Sequence, residues 1–494
     1  MIGIAITVAL SVLAAILLLN IRPIIREIKI RRQLNQFPSP QGHWLYGSLS
    51  EMQNPDNILS YLQKQCQNYP SSFFLRLGPF MSILVCNSPD AAKAVIASGG
   101  VKENYSYTFI REWLGDGLLI SNGGKWARNR KLVTPAFHFG VLKHYLPIYN
   151  RCVDVVIEKW SSQAATGQSF EIYSDMNFLT LDIILQSSFS LKTQCQTIGK
   201  NDPYVTVVKE LAWLTVNRFF SLTGYIPFLY YLTSEGRRFN TCVKESHRFT
   251  ENVIRKRLRE VELGSESNVR DYIDFLDILI KARDQDGKGL SFNNIRNEVE
   301  TFMFAGHDTT SSALSFTIYL LSKHKEHQQK VRDEVKSVLQ GRSDIAWNDL
   351  SELKYTTICI KEAMRLYTTV PMIERVLDKD VKIDGITVLA GTKINIPIFV
   401  LHGKANTWLN RDEYNPSRFL SEEIAQRDAF SYIPFSAGSR NCIGQSFAMN
   451  VLKVAVAKIV RHYHLEIDET KPVVTTIPLV MKSATGIWIK VNEL

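Results

Sequence analysis

The seven cysteines of this 494-residue chain (Cys66, Cys86, Cys152, Cys195, Cys242, Cys359 and Cys442) lie far apart and include no CxxC pair. Their odd number and wide spacing exclude a disulfide framework and a zinc site, and set the main body in a reducing compartment. No zinc-ligand, RNP-like or basic-zipper pattern accompanies the net charge of +10, from 58 basic and 48 acidic residues. Nucleic acid is therefore a poorer partner than an anionic membrane or an acidic protein, although plain solvation accounts for most individual Lys and Arg residues. Gly/Ser linkers, long charge blocks and internal repeats are missing too, so nothing visible cuts a chain whose length alone suggests about three domains. A glycine-rich nucleotide loop is also absent, which assigns any redox nucleotide to a separate protein. What is present is a 45% apolar composition and a mean hydropathy of −0.07, enough for a large core.

Residues 1–21 carry no charge and are rich in Ile, Val, Ala and Leu, long enough for one membrane-spanning helix. Neither the cleavage site of a secretory signal nor the interspersed Arg of a mitochondrial transit peptide is evident. Arg22, Arg26, Lys29, Arg31 and Arg32, tempered by Glu27, follow the span and hold that flank in the cytosol. Phe37-Pro-Ser-Pro40 reads as a stiff hinge. The expected organisation is an uncleaved anchor at 1–21, a basic flank and proline hinge at 22–45, and one body at 46–494.

Most of that body reads helical. Ser72–Val85, with its turn at Leu77-Gly78-Pro79, reads as a hairpin. Val381–Ile398, with turns at Asp384-Gly385 and Ala390-Gly391, reads as a second strand pair, and Val473–Val491 as a further hairpin. Gly264–Asn268 and Asp284–Gly289 read as exposed loops. Phe219–Leu232 is too short, and too broken by Gly224 and Pro227, to span a bilayer. It fits a second membrane contact beside a substrate entrance or a buried segment equally well.

The run Phe435-Ser-Ala-Gly-Ser-Arg-Asn-Cys-Ile-Gly444 is the densest in chemistry. A helical pattern from Gln445 to Val460 follows, whose first amides favour a thiolate at Cys442. Gly438 permits a positive-φ turn, and Gly444 lets a bulky planar group approach the backbone. Phe435 keeps water off the sulfur, and Arg440 offers a fork for a carboxylate. These needs converge on a haem iron held by a cysteinate with a propionate nearby; a buried structural cysteine is the plain alternative. The run resembles the haem-thiolate loop of cytochrome P-450 monooxygenases at Phe435, Gly438, Arg440, Cys442 and Gly444. That resemblance implies a mainly α fold with a smaller β region, preceded here by the single transmembrane helix, and haem b on Cys442.

Ser291–His324 reads as one long helix on which Phe302, Ala305, Thr309 and Ala313 share a face, a stripe that usually means packing. Asp308-Thr309 after Ala305-Gly306 adds chemistry. The Thr309 hydroxyl can bond the Ala305 carbonyl and bend the helix, opening a groove for oxygen. The segment resembles the family's oxygen-activation helix, which implies that Thr309 donates a proton there and Asp308 relays protons from solvent. Glu362 and Arg365 sit at i and i+3, alone no more than a surface pair. Their spacing resembles the family's Glu-Arg helix, implying a buried triad with Arg418 that braces the cysteine loop. Trp126-Ala-Arg-Asn-Arg130 resembles the helix whose Trp126 and Arg130 bind a propionate, and Arg375 and His402 match further propionate ligands.

Glu298 to Thr310, and Gly42-His-Trp-Leu-Tyr-Gly47, resemble the family-four fatty-acid ω-hydroxylase branch. Many members of that branch carry, at the position of Ala305, a glutamate that forms an ester to a haem methyl. Alanine cannot, so non-covalent haem is expected and the case for strictly terminal hydroxylation weakens. Glu300 replaces the more usual Asp, without an expected effect. By position in the family, Phe109, Trp113, Leu118, Phe302, Ala305, Val370, Met372 and Thr485 line the substrate pocket, although ordinary core packing explains any one of them. The implied activity is hydroxylation of fatty acids or related lipids at or near the chain end, with O2 and two electrons from NADPH. NADPH-cytochrome P-450 reductase delivers the electrons on a basic face beneath Cys442, with Arg128 and Lys131 as contacts and cytochrome b5 as a further partner. The implied location is the endoplasmic reticulum membrane, single-pass, with the catalytic body cytosolic. Three rivals are the same chemistry on xenobiotics, eicosanoids, steroids or terpenoid hormones, a peroxide-rearranging enzyme, and a non-enzymatic haem sensor or carrier. Asp308-Thr309 argues against the second, and Thr309 with the reductase-suited basic face against the third.

Overall fold

The structure is a computed structural model that describes residues 25–52, 55–78, 81–102, 106–199, 202–262 and 273–494. The expected anchor at 1–21 and the Gly264–Asn268 loop lie outside the described residues. Among the described residues no helix is long and apolar enough to cross a membrane. The chain divides into two compact units, a smaller one from the described N-terminal residues with Met372–Leu401 and a larger one from the rest.

The smaller unit is built on strands. Phe73–Arg76 and Ser82–Val85 form the expected hairpin, with Phe73 opposite Val85. Asp384 and Gly385, both at positive φ (48° and 83°), make the tight turn between Val381–Ile383 and Ile386–Val388. Such a turn matches the twist of paired strands. The second strand pair ends there. Lys393–Ile396 instead runs parallel to Ser82–Val85 and antiparallel to Ile373–Val376 in a four-stranded sheet. Its consecutive buried residues Ile394, Asn395 and Ile396 suit a strand covered on both faces and paired on both edges.

The larger unit is helical and arranged about Phe292–Lys323, the central helix. Ser291 caps its start by accepting the Asn294 amide, and Lys323 lies in its last turn. From 297 to 318 every residue is buried except Ala305, Gly306 and Thr309. The helix Tyr173–Ser188, almost as buried, packs along it. A Cβ at Gly306 would come within 2.8 Å of Ile184, so glycine there permits the close crossing. The helices Phe139–Thr166 and Lys354–Leu366, with Gln445–His462, complete the inner layer.

Near the C-terminus, Trp488–Glu493 pairs with Tyr463–Ile467 and, on its other edge, with Phe170–Glu171. The expected Val473–Val491 hairpin shrinks to Thr475–Thr476 against Lys482–Ser483. Ile489 and Val491 are buried while Lys490 is exposed, and this alternation buries Val491 opposite Leu465 in the larger sheet. Phe219–Leu232 becomes the end of one helix, a turn at Leu222–Tyr225 and a short helix Pro227–Leu232. Ile226, Phe228, Leu229 and Leu232 are exposed on it.

Candidate active site

Cys442 is the one exposed cysteine among seven; the other six are buried. Its amide donates to the Phe435 carbonyl at 2.8 Å, closing a loop that turns through Ser436 and Gly438, both at positive φ. Gly444 ends the loop as the N-cap of Gln445–His462. A Cβ at Gly444 would lie 4.0 Å from Cys442 Sγ and 3.8 Å from the Phe137 ring, so the sulfur has a glycine beside it. Although Cys442 has accessible surface, the protein packed around its sulfur still desolvates the thiol and pushes it up, against the pull of the Gly444 amide and Arg130. A bound cation would reverse that balance, since a coordinating thiol is deprotonated outright.

Two arginines flank this loop. Arg130 donates to Asn441 twice, to the carbonyl at 3.0 Å and to Oδ1 at 2.9 Å. Arg440 donates to the Ser121 carbonyl at 2.8 Å and to Asn122 Oδ1 at 2.9 Å, and its guanidinium lies 3.9 Å from the Trp126 ring centre. A thiol with a glycine beside it and two arginines adjoining suits a thiolate-held planar group carrying carboxylates, so the residues present fit haem.

Behind the loop, Glu362 is wholly buried and receives Arg365 in a fork, at 2.7 and 2.8 Å. Arg418 approaches the same carboxylate at 3.3 Å. Arg365 also donates to the His402 carbonyl at 3.0 Å. His402 Nε2 accepts the Ile433 amide at 3.0 Å and Nδ1 meets Thr368 Oγ1 at 2.9 Å. Burial, with Arg365 close by, pushes its pKa down to about 3, so the ring is neutral. With both nitrogens occupied, His402 has none for a propionate. It links the Glu-Arg helix to the chain leading into the cysteine loop.

On the central helix, Thr309 Oγ1 donates to the Ala305 carbonyl at 2.7 Å. Ala305, Gly306 and Thr309, the three accessible positions between 297 and 318, form one small-residue face in the buried middle of the helix. Phe137 connects this helix to the cysteine loop, stacking on Phe302 at 5.4 Å while adjoining Gly444. Asp308 is buried, and its Oδ1 pairs with Lys482 Nζ at 2.6 Å.

The remaining expected site residues are spread out. Phe109, Trp113 and Leu118 are buried, Trp113 edge-on to Phe304 at 4.8 Å. Phe302 lies between Phe137 and Phe275, the latter at 4.5 Å. Val370 is half-buried. Thr485 is exposed and ties its own hairpin, donating to the Pro472 carbonyl and accepting the Val474 amide. Arg375 and Met372 belong to the smaller unit, Arg375 buried on Ile373–Val376. Arg128 is bound to Asp284 at 2.7 Å and to two carbonyls, while Lys131 is exposed. The sequence reading missed Phe137, Asn441, Lys482 and the partners of Glu298. Of these only Asn441, adjoining Cys442 and close to Gly444, carried a local signal.

The Cytochrome P450 family model matches residues 37–490. The chain is similar to the human ultra-long-chain fatty acid omega-hydroxylase, with 38% identity over 94% of this chain and 89% of the relative. It is 37% identical to rat cytochrome P450 4B1 over 95% of this chain and 93% of that protein. Among solved structures, the cytochrome P450DA heme domain superimposes with a TM-score of 0.81 at 25% identity, covering 93% of this chain and 98% of the other.

Proposed function

The chain belongs to the cytochrome P450 family, and from that premise we propose that it hydroxylates fatty acids or related lipids at or near the chain end. It is a haem-dependent monooxygenase with NADPH as the electron source through a reductase. When bound, haem supplies the iron at which dioxygen is activated, one oxygen atom entering the substrate and the other leaving as water. Cys442 Sγ would hold the haem iron in this reading, and Arg130, Arg440 and Trp126 would hold its propionates. Thr309 Oγ1 delivers protons to the reaction. Asp308 stands next in that relay, and Lys482, partly exposed and paired with it, connects the relay to solvent. The small face at Ala305, Gly306 and Thr309 admits the lipid, and restricting which carbon reaches it decides the product.

The observation that carries the substrate is the extended similarity to a relative named as an ultra-long-chain fatty acid omega-hydroxylase. Ala305 has no carboxylate, so the haem is held non-covalently and acid-acetone extraction should strip it from the polypeptide. The uncharged residues 1–21 anchor the protein in the endoplasmic reticulum membrane, and the exposed Ile226, Phe228, Leu229 and Leu232 add a second contact. The body is cytosolic, and cytochrome b5 is a second donor. Turnover of a fatty-acid chain-length panel with reductase and NADPH, with hydroxyl position read by mass spectrometry, tests the reading. Terminal and near-terminal alcohols are expected; no product from protein with an intact thiolate spectrum would overturn the substrate.

A further inference from the structure

Glu298 is wholly buried on the central helix, seven residues before Ala305 and eleven before Thr309. At 100° per residue these three positions fall within about 20° of one line, with Glu298 about 10 Å upstream of Ala305. Its carboxylate is spent on two partners from distant segments. Oε2 accepts the Leu118 amide at 2.9 Å, and Oε1 accepts the Asn129 side-chain amide at 2.8 Å. The loop 115–118 is thereby held on the face that carries the accessible residues. Its approach is close: a Cβ at Gly115 would collide with the Asn297 side chain, and one at Gly117 with Thr301 Oγ1 and the Asn297 carbonyl. Asp116 between them pairs with Arg111 and Lys125. The loop runs on to Ser121 and Asn122, the acceptors of Arg440, and Asn129 lies on the helix of Trp126 and Arg130.

We propose that Glu298 is a positioning residue for regiochemistry, pinning the 115–118 loop as the end wall of the space over Ala305 and Thr309. The loop then limits how far a chain advances along that face, so the carbon presented depends on the clamp. This deepens, and rests on, the lipid-hydroxylase reading. A neutral amide can replace the carboxylate. In Glu298→Gln the new side chain would keep an acceptor for the Leu118 amide and donate to Asn129 Oδ1 after that amide turns. Asn129 Oδ1 is buried without a hydrogen-bond partner among the described residues.

The test compares full-length holoenzyme as wild type, Glu298→Ala, Glu298→Gln and Gly117→Ala, by hydrogen–deuterium exchange and by product position. In Glu298→Ala the amides of 115–121 should exchange at least several-fold faster, those of 445–460 should not change, and hydroxylation should spread inward along the chain. Glu298→Gln should restore both. A wild-type product distribution in Glu298→Ala, or a glutamine variant as disturbed as the alanine one, would overturn the proposal. If Glu298→Ala does not fold, Gly117→Ala decides, because its methyl lifts the loop with Glu298 intact; unchanged product positions there would be equally fatal. A wild type inactive on fatty acids defeats the substrate reading alone. The clamp is then read from the chain-length profile of N-alkylimidazole binding to the haem: an optimum moved in Glu298→Ala supports it, and superimposable profiles reject it.

Discussion

The cysteine loop and the wall that we propose residues 106–114 and 203–232 form beside the substrate are built on different principles. Around Cys442, charged forks and backbone amides lock short motifs together: Arg365 on Glu362 at 2.7 Å, Ile433 on His402 at 3.0 Å, Cys442 on Phe435 at 2.8 Å. The two segments of the wall meet through aromatic faces and, among the described residues, one partly exposed ion pair. Arg218 meets Glu112 at 3.1 Å, donates to the Gly224 carbonyl, and lies over Tyr230 at 4.2 Å and Phe109 at 5.0 Å. The first design fixes a sulfur and its neighbours to within a hydrogen bond. The second leaves room for repacking, which would suit the flexible lipid proposed as substrate.

The contrast is broken most directly at the sulfur. Cys442→Ala should abolish the reduced carbon-monoxide thiolate absorption and all product while leaving the far-ultraviolet circular dichroism intact. Retained product would show that the loop is not where the chemistry is held. Glu362→Ala comes next. It strands Arg365, 1% exposed, and unpairs Arg418, and breaking such a buried pair costs about 3–5 kcal/mol. A lowered thermal midpoint with lost haem content should follow, and an unchanged midpoint would show that the brace is dispensable.

A third effect depends on pH. Burial raises Glu300 to about 7, against the lowering influence of the Thr250 and Ser246 hydroxyls. The folded protein then holds a proton that the unfolded chain, with its ordinary value of 4.5, has released. Stability therefore falls as pH rises from below the ordinary value through about 7. Glu300→Gln removes that titration, and its partners are hydroxyls that can accept as well as donate. The variant should match wild type at pH 5 and exceed it at pH 8, by on the order of 1–3 kcal/mol. Parallel thermal midpoints across that range would exclude the mechanism.

What the sequence made legible follows the same division. Thr309 and Ala305 are four residues apart, and Glu362 and Arg365 three, so helical geometry alone places them together. The cysteine loop is ten consecutive residues whose glycines and arginine each have a local reason. Glu298 could be seen as part of a motif but not as a clamp, because Leu118 and Asn129 are 180 and 169 residues away in the chain. Glu300 looked like a neutral replacement for Asp, yet its carboxylate reaches two hydroxyls on the helix Ser234–Glu262. His402 matched a ligand by position alone, and only the fold reveals that Thr368 and Ile433 take both of its nitrogens. Strand partners near the C-terminus were obscure for the same reason: the pairing of Val491 with Leu465 depends on which face is covered.

The smallest expected effect falls on the wall. Glu112→Ala removes the carboxylate facing Arg218, a loss that would rival Glu362→Ala if ion pairing alone held the arginine. Glu112 is 34% exposed, so solvent already screens the pair, and Tyr231 loses only one acceptor. Arg218 retains the Gly224 carbonyl and the two ring faces, which favour a cation wherever they are dry. The expected cost is under about 2 kcal/mol. Thermal midpoints of the two alanine variants, measured side by side, sharpen the comparison. A Glu112→Ala loss as large as that of Glu362→Ala would mean the wall is wired as rigidly as the brace. The selectivity of the pocket would then rest on fixed shape and not on repacking.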